Sequence, residues 1–172
     1  MKTVCCFSAG TNFNAPLQDT PTDMFGKVLA VNVTGVFRAV QKFESLLLAA
    51  PPPARIINIS SINGIAPPVL MDTYAYSSSK AAVLMLTRHL AARLSPNILV
   101  NAISPGPFRS RMMRGTIEGA GEENIASGTL VGRMGAPGDI FGPALLLASS
   151  AGAYLTGINV PADGGSLLGG KL

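Results

Sequence analysis

The chain has 172 residues, which is the length of one ordinary domain. Its composition is 48% hydrophobic and 13% charged, with 19 glycines and 13 prolines, so we expect a compact α/β protein rather than a disordered chain. The net charge of +4 is mild, and no aromatic residues are interleaved with the basic ones. These properties argue against nucleic acid as a partner.

The cysteines and the apolar runs indicate whether the protein binds metal, forms disulfides or enters a membrane. Cys5 and Cys6 are adjacent, so they cannot supply a spaced metal site or a disulfide framework, and we expect both to be small buried hydrophobes. We therefore predict no metal and a reducing, cytoplasmic compartment. The longest apolar run, "SLLLAAPPPA" from Ser45, is too short and too rich in proline to span a bilayer, which predicts no membrane association.

Short β-type runs alternate with longer helical ones, a pattern typical of a parallel sheet with crossover connections. "TVCCF" predicts the first strand, and apolar residues at helical spacing predict a helix from Thr22 to about Ala49, ended by three prolines. "ARIINIS" is short and rich in β-branched residues, which predicts a strand buried on both faces, and "INGIAPP" ends it.

The second half of the chain continues this alternation. A helix is predicted from about Thr73 to Leu94, followed by a strand and a Pro/Gly loop in "SPNILVNAISPGP". Residues 107–136 are less regular, "PGDIFGPALLLASS" predicts a further helix, and "TGINVPADGG" predicts a last strand and turn. No repeat or linker is visible, so we expect a single domain over residues 1–172.

The segment "YAYSSSK" places two tyrosines and one lysine on a predicted helix. Side chains four apart lie on one face, so Lys80 accompanies Tyr76, whereas four residues from Tyr74 lead only to Ser78. Because an ammonium stabilises a phenolate, we predict that Lys80 lowers the pKa of Tyr76 and makes it a candidate acid or base. The alternative is a solvated helix face.

Two serines lie at the predicted end of a buried strand. Ser60 and Ser61 precede Gly64, which places hydroxyls at the carboxyl edge of a parallel sheet, where open α/β folds bind ligands. Taken alone, such serines would more often form turns.

Five motifs together resemble the short-chain dehydrogenase/reductase family. They are "VNVTG", "NISSING", Tyr76-x-x-x-Lys80, "VNAISPGPFRSRM" and "YLTGINVPADGG", and they cover nearly the whole chain in the family's order. Within that family, "YAYSSSK", "PGPFRSRM" and "GAYLTG" are most similar to 3-oxoacyl reductases of the rhamnolipid-pathway type. The resemblance implies a Rossmann-like, doubly wound parallel sheet.

The resemblance also implies catalytic roles. Tyr76 would be the acid or base, and Lys80 would lower its pKa and bind the nicotinamide ribose. The family spacing Ser-x-x-Gly selects Ser61, with Gly64, as the hydroxyl that orients the substrate carbonyl. Asn32 of "VNVTG" would hold a proton-relay water, although an asparagine within a helix could be merely structural.

The implied cofactor is NADP, with NAD as an alternative. The family's Asn-Asn-Ala-Gly motif appears here as "FSAG", and Ser110 stands where a threonine is usual. The resemblance assigns these cofactor-binding residues: Ser8, Gly10, Asn32, Tyr76, Lys80, Pro105, Gly106, Phe108 and Ser110.

The family's opening strand, glycine-rich phosphate loop and helix are not found in this sequence. We therefore expect only the C-terminal part of the family fold, starting at about the fourth strand. One hypothesis is an oxidoreductase of a small-molecule carbonyl or secondary alcohol, with a 3-oxoacyl thioester as one candidate; the other is a catalytically silent interaction module. The family commonly forms dimers through its fourth and fifth helices, so we expect homo-oligomers through residues 22–49 and 73–94.

Overall fold

A computed structural model describes residues 3–68 and 71–169. Four strands form one sheet in the order β1-β2-β3-β4, and every neighbouring pair is parallel. The strands are β1 (Val4–Phe7), β2 (Ala54–Ile59), β3 (Ile98–Pro105) and β4 (Asn159–Ala162). The predicted parallel α/β sheet is confirmed.

Six α-helices connect or flank these strands in the described part of the chain. They are α1 (Thr22–Leu29), α2 (Gly35–Ala49), α3 (Tyr74–Leu94), α4 (Arg114–Ala120), α5 (Glu122–Ser127) and α6 (Phe141–Ala148). The single helix predicted over residues 22–49 is interrupted by a π-helical turn at Ala30–Thr34. The segment predicted to be irregular, residues 107–136, contains α4 and α5.

Apolar side chains cover both faces of the sheet, as a doubly wound arrangement requires. On one face, Ile56 and Val100 pack with Val40 of α2 and Ala91 of α3. On the other face, Ile57 and Ile103 pack with Leu147 of α6. The sheet therefore forms the middle layer of the molecule, and its carboxyl edge is open to the loops that follow each strand.

A buried arginine fixes α6 to the sheet. Arg55 of β2 is only 1% exposed, and its guanidinium donates to the carbonyl oxygens of Ser149 and Gly152, each at 3.1 Å. Those carbonyls lie where α6 ends, so the cation also interacts favourably with the negative end of the helix dipole.

The expectation of two buried cysteines is wrong. Cys5 is half-buried and Cys6 is exposed. Burial alternates along β1 because successive side chains point to opposite faces, and Cys6 lies on the face with Val4, which is 39% exposed. Within residues 3–68 and 71–169, none of the helices has the length and apolarity needed to cross a membrane.

Candidate active site

Tyr76 and Lys80 share one face of α3, as their spacing predicts. The Lys80 Nζ atom lies 5.5 Å from the centre of the Tyr76 ring and donates to the Ile59 carbonyl oxygen at 2.9 Å. Lys80 is 4% exposed, so its ammonium is held inside the molecule at the carboxyl end of β2. Tyr74 instead donates to Asp72 at 2.9 Å on the surface.

The two serines after β2 have different contacts. The Ser60 hydroxyl donates to the Lys80 carbonyl oxygen at 2.9 Å, which anchors α3 to the end of the strand. The Ser61 hydroxyl accepts from the Asn63 amide at 3.2 Å and lies near enough to the Tyr76 phenol to lower its pKa. Ser61 is therefore the hydroxyl that faces the phenol.

Gly64 allows the loop after β2 to approach α3 very closely. A Cβ atom at this position would lie 2.6 Å from the Lys80 carbonyl carbon and 2.7 Å from the Ala81 nitrogen. Both atoms belong to helix backbone, which cannot move aside cheaply. Glycine is thus needed to bring the Ser61 loop against the turn that carries Lys80.

Asn32 lies in the π-helical turn and is fully buried. Its Oδ1 accepts from the Thr11 amide at 2.8 Å, and its Nδ2 donates to the Thr11 carbonyl at 2.9 Å and to the Ser79 hydroxyl at 2.9 Å. The Ser79 hydroxyl in turn donates to the Tyr76 carbonyl at 2.7 Å. These bonds connect the loop after β1 to the first turns of α3, and π-turns of this kind are frequent at functional sites.

Gly10 lies beside this cluster. A Cβ atom built on Gly10 would be 3.5 Å from Lys80 Nζ and 3.6 Å from Asn32 Oδ1. Ser8, earlier in the same loop, is exposed. The loop after β1 therefore brings Gly10 close to Lys80 and Asn32.

The loop after β3 is fixed by close packing at two glycines. Gly106 donates to the Ala162 carbonyl at 3.0 Å, and a Cβ there would lie 2.7 Å from the Asp163 Cα. The Phe108 ring lies so near Gly135 that a Cβ on the glycine would be 2.7 Å from it. Pro105 ends β3, and Ser110 is exposed, with its hydroxyl accepting from the Met113 amide at 3.3 Å.

Helices α4 and α5 follow the loop after β3. Arg109 pairs with Glu122 of α5, and the Thr116 hydroxyl of α4 contacts the Met71 sulfur at 3.5 Å. Glycines 115, 119 and 121 weaken the helical pattern of this segment, which is why sequence periodicity does not reveal it.

Burial controls the two titratable groups at the centre of the site. It lowers the pKa of Lys80 to about 8 because the ammonium is removed from water. It also raises the pKa of Tyr76 above its ordinary value, and the nearby Ser61 hydroxyl lowers that pKa by a smaller amount. The predicted lowering of the Tyr76 pKa by Lys80 is wrong here, because the ammonium lies beside the ring and bonds to Ile59 instead of the phenol oxygen.

Sequence reasoning missed Thr11 and Ser79, which hold Asn32, and the role of Ser60 as a helix anchor. Ser79 is flanked by Ser77 and Ser78 in "SSSK", and only the α3 geometry shows that Ser79 is buried while Ser78 is exposed. In the ranges that the structure describes, no three His, Cys, Asp or Glu side chains are grouped so that they could hold a metal ion.

Comparison with known proteins identifies the family. Residues 3–166 match the family described as enoyl-(acyl carrier protein) reductase, and the fold superposes on solved dehydrogenases with nearly the whole chain covered. The chain belongs to the short-chain dehydrogenase/reductase family. As a member, it is 41% identical over 163 residues to the rhamnolipids biosynthesis 3-oxoacyl-[acyl-carrier-protein] reductase of Pseudomonas aeruginosa, with 92% of this chain and 63% of that protein covered.

Two solved structures of the short-chain dehydrogenase/reductase family show the likeness in three dimensions. The Pseudomonas aeruginosa RhlG/NADP active-site complex has a TM-score of 0.89 and 40% identity, covering 96% of this chain and 66% of that one. A gluconate 5-dehydrogenase from Burkholderia cenocepacia in complex with NADP and tartrate has a TM-score of 0.88 and 28% identity, covering 96% and 64%. The chain thus spans less than two thirds of the length of these proteins.

Proposed function

We propose that the chain is an NADP-dependent oxidoreductase that transfers a hydride between nicotinamide and a carbonyl or secondary alcohol, with Tyr76 as the general acid or base. The observation that carries the proposal is the convergence of Tyr76, Lys80, Ser61 and Asn32 at the carboxyl edge of β2. The 41% identical reductase supports a 3-oxoacyl thioester as substrate. Structural neighbours include complexes with NADP and one with bound NAD+, so we propose NADP with NAD as the alternative.

The donors at this edge fit a nicotinamide ribose. The Lys80 ammonium has three N–H donors and uses one on Ile59, so two remain for hydroxyl groups of a ligand. Bound NADP(H) would supply or accept the hydride. We infer that the surrounding loops hold it through Ser8, Gly10, Asn32, Pro105, Gly106, Phe108 and Ser110.

The side chains provide for proton transfer. Because burial raises the pKa of Tyr76, the phenol carries its proton at neutral pH, which is the form that a reduction needs. The Ser61 hydroxyl, close to the phenol, would orient a carbonyl oxygen between them. The Lys80 ammonium, charged below pH about 8, lies beside the Tyr76 ring and keeps two N–H donors for hydroxyl groups of a ligand.

Direct binding and turnover test this proposal. Purified protein is titrated with NADPH and with NADH, following nicotinamide fluorescence, and is then assayed with acetoacetyl-CoA as the 3-oxoacyl thioester. Tyr76→Phe should abolish turnover while leaving NADPH binding largely intact. Tyr74→Phe is the matched control, because Tyr74 bonds to Asp72 on the surface, and it should retain turnover.

Equal loss of turnover in both variants would show that the acid is assigned wrongly. Failure of the unmodified chain to bind either nucleotide would contradict the oxidoreductase and favour the interaction-module hypothesis. That hypothesis is not favoured by the relatives, which are named as reductases or dehydrogenases.

We also propose that the chain forms homo-oligomers through α1–α2 and α3. An apolar groove of about 370 Å³ lies between α2 and α3. Its lining residues are Phe37, Leu86, His89, Leu90, Ala92 and Arg93. Phe37 is 42% exposed and Met85 on α3 is 51% exposed, so apolar surface on both helices is available for a second copy.

A further inference from the structure

Ser79 is a buried hydroxyl for which the proposed reaction has no role. It lies between Tyr76 and Lys80 in sequence, it is 0% exposed, and its Oγ accepts from Asn32 Nδ2 at 2.9 Å. The same hydroxyl donates to the Tyr76 carbonyl oxygen at 2.7 Å. A buried hydroxyl that both accepts and donates is fixed in orientation, unlike the exposed hydroxyl of Ser78 at the preceding position of the helix.

The Thr11 backbone determines how the Asn32 amide is oriented. The Thr11 N–H can only donate and the Thr11 carbonyl can only accept, so Oδ1 faces the first at 2.8 Å and Nδ2 faces the second at 2.9 Å. One Nδ2 hydrogen then remains, and the Ser79 oxygen receives it. The bonds therefore form one directed chain from Thr11 through Asn32 and Ser79 to the Tyr76 carbonyl.

This chain joins three segments that are distant in sequence. Thr11 belongs to the loop after β1, Asn32 to the π-helical turn, and Ser79 to the first turns of α3. A Cβ atom built on Gly10, next to Thr11, would lie 3.5 Å from Lys80 Nζ. Ser79 thus links the loop that carries Gly10, through Thr11 and Asn32, to the helix that carries Tyr76 and Lys80.

We propose that Ser79 is a positioning residue, which holds Asn32 and the Gly10–Thr11 loop in register with Tyr76 and Lys80. The expected effect on turnover rests on the proposed function. The positioning of Asn32 and the Gly10–Thr11 loop rests on the hydrogen bonds alone. Removal of the hydroxyl leaves a buried Nδ2 hydrogen of Asn32 without a partner, and the side chain or the loop must shift to find one. Small displacements of reacting groups reduce the rate of the chemical step more than they reduce substrate binding.

Ser79→Ala tests the proposal, with Ser78→Ala as a matched control and Ser79→Thr as the conservative variant. Alanine favours helix, so Ser79→Ala should fold. In ¹⁵N-labelled protein, Ser79→Ala should shift one of the two Asn32 side-chain amide signals and speed hydrogen exchange at the Thr11 amide. In turnover of acetoacetyl-CoA with NADPH, kcat should fall about tenfold with KM nearly unchanged, and Ser79→Thr should recover most of it.

Several results would overturn the inference. Unchanged Asn32 signals in Ser79→Ala would show that the hydroxyl does not hold the amide. An equal fall in kcat for Ser78→Ala, or a loss confined to KM, would show that Ser79 does not position the reacting groups. If the unmodified chain neither binds NADPH nor turns over, the proposed function fails, and the Asn32 and Thr11 signals still decide whether Ser79 fixes the loop.

Discussion

Lys80 combines a charge with almost complete burial, and this combination has a cost in stability. Burial lowers its pKa from 10.5 to about 8, which corresponds to roughly 3 kcal/mol of folding free energy at pH 7. The hydrogen bond to Ile59 offsets only part of that cost. Burial of this cation therefore costs the folded state stability.

The stability of the protein should therefore depend on the Lys80 charge in alkaline solution. Between pH about 8 and 10.5 the unfolded chain binds more protons at this lysine than the folded one, so its contribution to stability rises with pH. Below pH about 8 both states are protonated and the penalty is constant. The free energies of unfolding of the unmodified chain and of Lys80→Met are measured in urea from pH about 8 to 10.5. As the pH rises, the unmodified chain should gain stability relative to Lys80→Met.

Lys42→Met, at an exposed position of α2, is the control for loss of a positive charge. The same pH-dependent difference in that variant, or a difference for Lys80→Met that is constant from pH about 8 to 10.5, would contradict the buried ammonium.

Some contacts at the site follow from local spacing and others do not. Tyr76 and Lys80 are one helical turn apart, so their common face is readable from sequence. Ser79 and Asn32 are 47 residues apart, and Thr11 and Asn32 are 21 apart, so no local pattern reveals their bonds. Whether the Tyr76 pKa is raised or lowered also depends on burial, which cannot be read from the spacing of Tyr76 and Lys80.

The Ser61 loop packs closely against α3 at Gly64. Gly64→Ala would drive a methyl group to within 2.6 Å of the Lys80 carbonyl carbon, so the loop or the helix must move. Overpacking of this kind costs about 1–3 kcal/mol. We expect a lower urea midpoint and weaker turnover, since Ser61 and Lys80 would both be displaced.

Gly26→Ala is the matched control for that substitution. Nothing lies within 4 Å of a Cβ at this position of α1, and alanine is the better helix former, so stability should be unchanged or slightly increased. A Gly64→Ala protein as stable and active as Gly26→Ala would contradict the close approach.

Elements with strong periodicity are predictable, whereas those that depend on distant partners are not. The strands and α3 match their sequence patterns because buried β-branched runs and a long Ala/Leu segment have few alternatives. The π-helical turn at Ala30–Thr34 contains one residue more than an α-helical turn. The spacing of apolar residues in the sequence does not reveal this extra residue. That turn places Asn32 against Thr11, so the detail missed at this level is part of the site.

At the scale of the whole molecule, the two faces of the sheet are covered unequally. Helices α2 and α3 cover one face, whereas α6 packs on the other and presents Phe141 and Leu145, which are 61% and 66% exposed. Apolar surface of this kind on a domain usually marks an interface. Sequence predicts the layers, because they follow from alternating strands and helices, but it does not predict which apolar residues remain exposed.

The groove between α2 and α3 allows the proposed oligomer interface to be tested by mutation. Phe37 lines it and is 42% exposed, so a second copy would bury the ring, and Phe37→Glu would place a carboxylate in that apolar contact. We expect light scattering after size exclusion to give a dimer or larger species for the unmodified chain and a monomer for Phe37→Glu. Leu130→Glu changes an exposed leucine, 66% accessible, outside α1–α3, and should keep the oligomer. Monomers in all three proteins would contradict the interface, and loss in both variants would indicate that it lies elsewhere.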